Sequence, residues 1–289
     1  MTAPPQRILL GIAFMLTAGL LFPVMGGFAK LLGQNYNSLQ ISWARAFVHI
    51  LFLLALFLPR HGVAVLRTRR PALQFFRSCC LFTSNLCFFF AITFIPLAKA
   101  AAISLAAPLI VALLAWPMLG ERTTKARVVA LVVGFVGVLV VIRPGTALFH
   151  WASLFVLMSA TAYGLYQILT RRLAGVDSAE TSALYAAGVG GIVMLGALPF
   201  VGEMPASWLD FGLFIGVGML GALGHYCVAQ AFGYGPANIL SPFQYFQLLG
   251  SVAVGYLLFS ELPDAFTWIG AAIIVAAGLS IGWSQARRR

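Results

Sequence analysis

From Ile8 to Leu32 the chain carries one charged residue, Lys30, and runs like this one recur to the end of the sequence. Broken at its charged, Gly/Pro and polar clusters, the sequence yields ten apolar segments: 8–32, 39–59, 73–95, 98–119, 126–142, 149–170, 181–201, 208–232, 236–259 and 265–284. A helix needs about 20 residues to cross a hydrocarbon core of about 30 Å, which most of these supply. In lipid the backbone must satisfy its own hydrogen bonds, so isolated spans are helices. A barrel would instead show alternating segments of about 10 residues, and none are visible. The expected fold is an all-α membrane protein.

Composition closes the alternatives. With 61% hydrophobic and 9% charged residues and a mean hydropathy of +0.97, too little charge exists to cover a water-facing surface. The net charge of +11 does not point to nucleic acid, because the bases sit in short connections rather than in a basic module. Fourteen of the 18 bases fall in the even-numbered connections or at the termini: Arg7; Arg60, Arg67, Arg69, Arg70 and Arg77; Arg122, Lys125 and Arg127; Arg171 and Arg172; Arg287 to Arg289. The opposite connections hold Arg143 with the acids Glu203, Asp210, Glu261 and Asp264. The positive-inside rule then puts both termini in the cytoplasm and requires an even number of spans. The first segment is too long for a signal-peptide core and reads as a span.

A faint echo divides the chain. Pro96 to Glu121 and Pro236 to Glu261 each run from proline through an apolar stretch to glutamate, 140 residues apart. Each copy belongs to a group of five segments, 8–142 and 149–284. Because five is odd, the second half enters the membrane the other way round, a recurrent layout of secondary transporters.

Polar residues inside spans carry the functional signal, since lipid burial is costly without a partner or a cavity. The sixth segment holds Ser159, Tyr163, Tyr166, Gln167 and Thr170 on one stripe; the ninth holds Asn238, Ser241, Gln244, Tyr245, Gln247 and Ser251. Ser84 and Asn85 add to these from the third, and His225, Tyr226 and Gln230 from the eighth. Facing stripes would line a wet pathway; the competing reading is interhelical bonding. Tyr163, Tyr166, Gln167, Gln244, Tyr245 and Asn85 are the candidates for lining and recognition. Arg45, about 9 Å inside the second segment, either snorkels or attracts anions. Lys99 opens the fourth helix, where the dipole disfavours a cation, so Lys99 and Arg45 are assigned to an outer mouth that draws anionic groups. Lys30 ends its helix, where a cation is favoured. With no acid clearly at the midplane, His49 and His225 are the candidates for any proton coupling, against the alternative of neutral, buried rings.

Several patterns are decoys. Gly216, Gly218 and Gly221 spell a G-x-G-x-x-G, but no strand precedes them, and with Gly212 and Gly224 they form a small-residue packing face. Cys79, Cys80, Cys87 and Cys227 have no zinc or disulfide spacing. No metal or cofactor is expected, and no ATP-binding segment is present.

The segments Phe94-Ile95-Pro96-Leu97-Ala98, Ala107-Pro108-Leu109 and Leu119-Gly120-Glu121, followed by Gly134-Phe135-Val136-Gly137-Val138, have counterparts in Ser241-Pro242-Phe243-Gln244-Tyr245 and Phe259-Ser260-Glu261. Over essentially its whole length the chain thereby resembles the EamA branch of the drug/metabolite transporter superfamily. The resemblance implies ten transmembrane helices as two inverted five-helix repeats (5+5) in a bacterial inner membrane. It also implies a central cavity built from segments 1, 3, 4, 6, 8 and 9. Members move amino acids, nucleosides, riboflavin, S-adenosylmethionine, toxic compounds or metallophores. Lys99 stands where many relatives have an acid or a small polar residue, which speaks for an acidic substrate. The resulting expectation is a secondary transporter of a small polar, anionic or carboxylate-bearing metabolite, amino-acid-like or a metallophore, by alternating access, with efflux preferred. The alternative is an uptake carrier for a cofactor-like metabolite such as riboflavin or S-adenosylmethionine. An intramembrane enzyme or a scaffold is a remote third, for lack of a nucleophile–base pair and of long loops.

Overall fold

The computed structural model describes residues 5–119, 125–196, 198–235 and 240–286. Glu121 and Pro236, one end of each copy of the echo, lie outside the described residues, as do Arg122, Asn238 and Arg287 to Arg289. Among the described residues all regular structure is helical, apart from one isolated bridge between Ala174 and Asp177. The helices are α1 (Pro5–Leu32), α2 (Ser38–His61), α3 (Pro71–Ile92), α4 (Leu97–Ser104), α5 (Ala106–Leu119), α6 (Lys125–Ile142) and α7 (Ala152–Leu173). They continue with α8 (Ala179–Ala186), α9 (Gly188–Leu195), α10 (Leu198–Val201), α11 (Trp208–Tyr234), α12 (Gln247–Phe259) and α13 (Ala265–Ala286). Tighter 3₁₀ turns at Gly62–Leu66 and Ser241–Phe246 extend α2 and lead into α12.

Among the described residues, six helical stretches are long and apolar enough to cross a bilayer: Ile8–Leu32, Ser38–Leu66, Pro71–Ile92, Leu97–Leu114, Ala152–Leu173 and Trp208–Tyr234. Four shorter apolar stretches, Val128–Ile142, Ala179–Leu195, Phe243–Phe259 and Ala265–Ser280, coincide with the fifth, seventh, ninth and tenth expected segments.

Two expected spans are interrupted, each for a local reason. The fourth breaks at Leu105, between α4 and α5. Pro108 has no N–H to give the carbonyl four residues back, which is that of Ser104, where α4 ends. The seventh breaks at Ala187, between α8 and α9. There Ser78 of α3 inserts its hydroxyl, donating to the Ala186 carbonyl at 3.1 Å and accepting from the Val189 N–H at 2.9 Å. A side chain wedged into the ladder is a recognised cause of a helix break.

The packing is regular. α1 lies along α11, α3 along α7 and α6 along α13; α2 rests on α11 and α9, α5 on α7, and α12 on α1 and α4. The outside is apolar and the largely apolar inside also holds polar groups: Val129 and Val132 of α6 are exposed, while Arg77, Gln74, His49, Tyr166 and Gln167 have no exposed surface. That distribution suits a hydrocarbon solvent. The five-glycine face of α11 is a packing surface, as expected: Gly216, Gly218 and Gly224 meet Phe28, Val48 and Phe22, although Gly212 meets nothing.

Arg77 corrects the sequence reading. It was grouped with the connection bases, yet α3 begins at Pro71 and buries Arg77 completely. Its guanidinium donates to Thr170 Oγ1 at 3.1 Å and to the Ser182 carbonyl, and it covers the Tyr166 ring at 5.1 Å.

Two predictions follow from contacts that hold α13. A Cβ at Gly137 would lie 2.9 Å from the Gly270 carbonyl and from side-chain atoms of Ile273 and Ile274. Gly137→Val should therefore destabilise the α6–α13 pair by about 1–3 kcal/mol, read as a lower melting temperature in detergent. Asp264 caps α13, accepting from Thr267 N at 2.8 Å and pairing with Arg143. Burial works to raise its pKa, but the bonds from Arg143 and Thr267 outweigh it and bring it down from 3.8 to about 2. Its stabilising contribution is complete above 3.8 and fades as pH falls toward 2. The stability gap between wild type and Asp264→Asn, at most about 1 kcal/mol for so exposed a carboxylate, should close over that interval.

Candidate functional site

A cavity of about 90 Å³, room for a few water molecules, lies where α1, α3, α4, α5, α7, α11 and α12 converge. These helices correspond to expected segments 1, 3, 4, 6, 8 and 9. Phe22, Phe88, Tyr163 and His225 give the cavity an aromatic wall; Ser84, Asn85, Ser104, Ser159, Gln247 and Ser251 give it neutral polar groups. Among the described residues no acid, lysine or arginine lines it. Ser159 donates to the Ser84 carbonyl at 2.7 Å, leaving Ser84 to donate to Ser159 Oγ at 3.1 Å, which stitches α3 to α7 at the cavity floor. Asn85 donates back to the Leu81 carbonyl at 2.7 Å.

Of the candidates for recognition and proton coupling, Asn85, Tyr163 and His225 line this cavity, together with Ser84, Ser159, Gln247 and Ser251 of the polar stripes. Tyr166 is fully buried and stacks on Tyr163 with ring centroids 5.6 Å apart. Tyr245 is turned toward Gly278 of α13, and its hydroxyl has no partner. Lys99 is outside, half-buried, donating to the Leu148 carbonyl at 3.4 Å.

Arg45 does not snorkel. It is 3% exposed and donates from Nη2 to His225 Nε2 at 2.8 Å. Because a guanidinium only donates, Nε2 must accept, which puts the proton of a neutral His225 on Nδ1. His49 is oriented oppositely: its Nε2 lies 2.9 Å from the Ala183 carbonyl and must donate. The two imidazoles lie 6.1 Å apart. Phe22 at 5.0 Å, Tyr166 at 5.5 Å and Tyr163 at 6.4 Å complete an aromatic enclosure around His225.

Along α1, polar pairs stand on either side of the cavity-lining residues Phe22 to Gly26. On one side Gln167 of α7 and Gln244 exchange amide hydrogen bonds of 3.2 and 2.8 Å, and Gln244 also reaches Met15 of α1. On the other, Lys30 of α1 pairs with Glu261 at 2.6 and 2.7 Å. Glu261 also accepts from the Leu97 N–H at 3.2 Å. Ser260 positions it: with φ of 54° it ends α12 in the left-handed conformation and folds Glu261 N back to the Gly255 carbonyl at 3.0 Å. Sequence reading missed this ion pair, because Lys30 was explained by its helix end and Glu261 by its loop. The signal was one acid and one base, each closing a span on the same side.

The glutamine pair gives a direct test. Gln167→Leu strands a buried amide on Gln244 and should cost about 1–3 kcal/mol, whereas Gln167→Leu with Gln244→Leu should recover most of it. Denaturation of the two single variants and the double variant in detergent measures the coupling; additive losses would mean the two amides do not act as a pair.

Comparison with known proteins adds the lineage. The EamA-like transporter family matches residues 9–143 and again 150–283. The chain is 29% identical to an S-adenosylmethionine uptake transporter of Rickettsia felis, over 89% of this chain and 87% of that one. It is 27% identical to a riboflavin transporter of Rhizobium johnstonii, over 98% and 94%. It is 28% identical to the pseudopaline exporter CntI of Pseudomonas aeruginosa, over 94% and 95%. A solved crystal structure superposes with a TM-score of 0.70 over 96% of this chain and 98% of its own at 20% identity, a likeness of fold alone. Two matched stretches spanning nearly the whole chain show that it belongs to the EamA-like transporter family, within the drug/metabolite transporters.

Proposed function

We propose that this protein carries a small polar metabolite across the bacterial inner membrane by alternating access, ten spans forming two inverted halves, 8–142 and 149–284, with both termini cytoplasmic. The observation that carries the reading is the cavity together with the two polar pairs that flank its lining residues along α1, which we take as its gates. On the arginine bias, Lys30–Glu261 closes the outer end and Gln167–Gln244 the inner. The packing supports the two halves, because exchanging them preserves the contacts. α1 against α11 becomes α7 against α3; α2 against α11 becomes α8 and α9 against α3; α1 against α12 becomes α7 against α4 and α5; and α6 against α13 maps onto itself.

Tyr163, Asn85 and the serines meet the solute, while Tyr166, Gln167, Gln244 and Tyr245 shape and close the pathway around it. Lys99, near Arg143 and Asp264, draws anions toward the outer mouth. A proton carried by His225 would have to replace the hydrogen bond from Arg45. Export is the preferred direction. Uptake of a cofactor-like metabolite is the second reading, favoured by the relatives named for S-adenosylmethionine uptake and for riboflavin.

Comparing metabolites inside and outside a deletion strain tests the function: one that accumulates inside supports export, one that fails to enter supports uptake, and an unchanged profile counts against both. The outer latch has its own test. In a background with the four native cysteines replaced, a cysteine at Ser251 should react with an impermeant thiol reagent at least fivefold faster when Glu261→Gln is added. An unchanged rate would remove the latch from the mechanism.

A further inference from the structure

We propose that the Arg45 guanidinium is the anchor for a carboxylate on the transported solute, and that His225 holds this anchor while the solute is absent; the proposal rests on the transporter reading. Arg45 and Arg77 are both buried, and neither has an acidic partner among the described residues. They differ in how they are satisfied. Arg77 is fixed by Thr170, the Ser182 carbonyl and the Tyr166 ring, so it holds helices together. The Nε of both is without a partner, but Arg45 has a single neutral partner, His225, and no other.

The surroundings keep space and unspent polar groups around Arg45. Ser42 Oγ and His225 Nδ1 are buried without partners. Gly221 leaves room that a side chain would take, since a Cβ there would lie 3.2 Å from Arg45 Nε. Ser42 and Arg45 line a small void of about 10 Å³, and Asn85 lines both this void and the main cavity. Arg45 therefore stands immediately behind two cavity-wall residues, His225 and Asn85. A guanidinium presents parallel N–H groups that match a planar carboxylate, which would replace one neutral acceptor by two charged ones. The exchange needs His225 to release Nη2 and the intervening His225 and Asn85 side chains to turn aside, because the void beside Arg45 holds only about one water. Bound in this way, solute and Arg45 together are neutral, which lowers the cost of holding both charges in a closed, dry cavity.

The test uses purified full-length protein and thermal unfolding at matched ionic strength. Acetate, succinate and L-methionine are each compared with the corresponding amide. The acids should raise the melting temperature by at least 2 °C and the amides should not. Arg45→Gln should abolish the shift; His225→Leu, which removes the competing acceptor, should enlarge it. Equal shifts from acids and amides, no shift from any acid, or a full shift in Arg45→Gln would each overturn the proposal. Should Arg45→Gln fail to fold, Arg45→Lys keeps the charge and loses the fork, and a full shift there overturns it equally. Failure of the transporter reading is separate: wild-type proteoliposomes would then move none of a cell's small metabolites, whatever the melting data.

Discussion

A backbone group left unpaired in hydrocarbon costs several kcal/mol, and the interruptions in this bundle are arranged around that cost. The break before α9 survives because Ser78 satisfies the carbonyl and the N–H on either side of it. At the end of α4, the carbonyls of Ala101, Ala102 and Ile103 share the Leu105 N–H, and Ser104 caps its own helix through the Ala100 carbonyl. Both breaks lie beside the converging helices that make the cavity. Irregular backbone is tolerated at membrane depth when protein or a polar pocket covers it, and here it is covered by α3 and α7.

The two polar pairs that flank the cavity along α1 differ in chemistry. One is a charge-assisted pair reinforced by a backbone N–H, with Lys30 also over the Phe259 ring at 4.8 Å. The other is a pair of neutral amides, each giving and taking one hydrogen bond. Charge-assisted bonds are the stronger kind, roughly twofold over neutral ones. Half-symmetric packing thus carries unlike contacts at its two ends, as the weak residue-level echo between the halves would require.

Much of this was legible in the residues. Apolar run lengths gave the helices, and polar residues at membrane depth led to Asn85, Tyr163 and His225 in the cavity wall. Helical periodicity assigns a face but not a distance, so it could put Gln167 and Gln244 on polar stripes without revealing that they bond each other. Arg77 was misread because it follows a run of arginines. Pro71, suited to the first turn of a helix, was the signal that Arg77 lay inside. The depth of Arg45 was visible, its histidine partner 180 residues away was not, because tertiary neighbours leave no local pattern. The unbroken fourth and seventh spans were an expectation that hydropathy alone could not refine.

The glutamine pair has an electrical consequence. Moving one elementary charge through the membrane potential is worth about 2.3 kcal/mol per 100 mV, yet neither amide carries net charge. In the proposed mechanism, parting Gln167 from Gln244 is therefore voltage-silent, and their reciprocal bonding can re-form without regard to salt or proton concentration. Any response of that mechanism to the membrane potential would have to arise elsewhere, on the solute or on the cations that meet it.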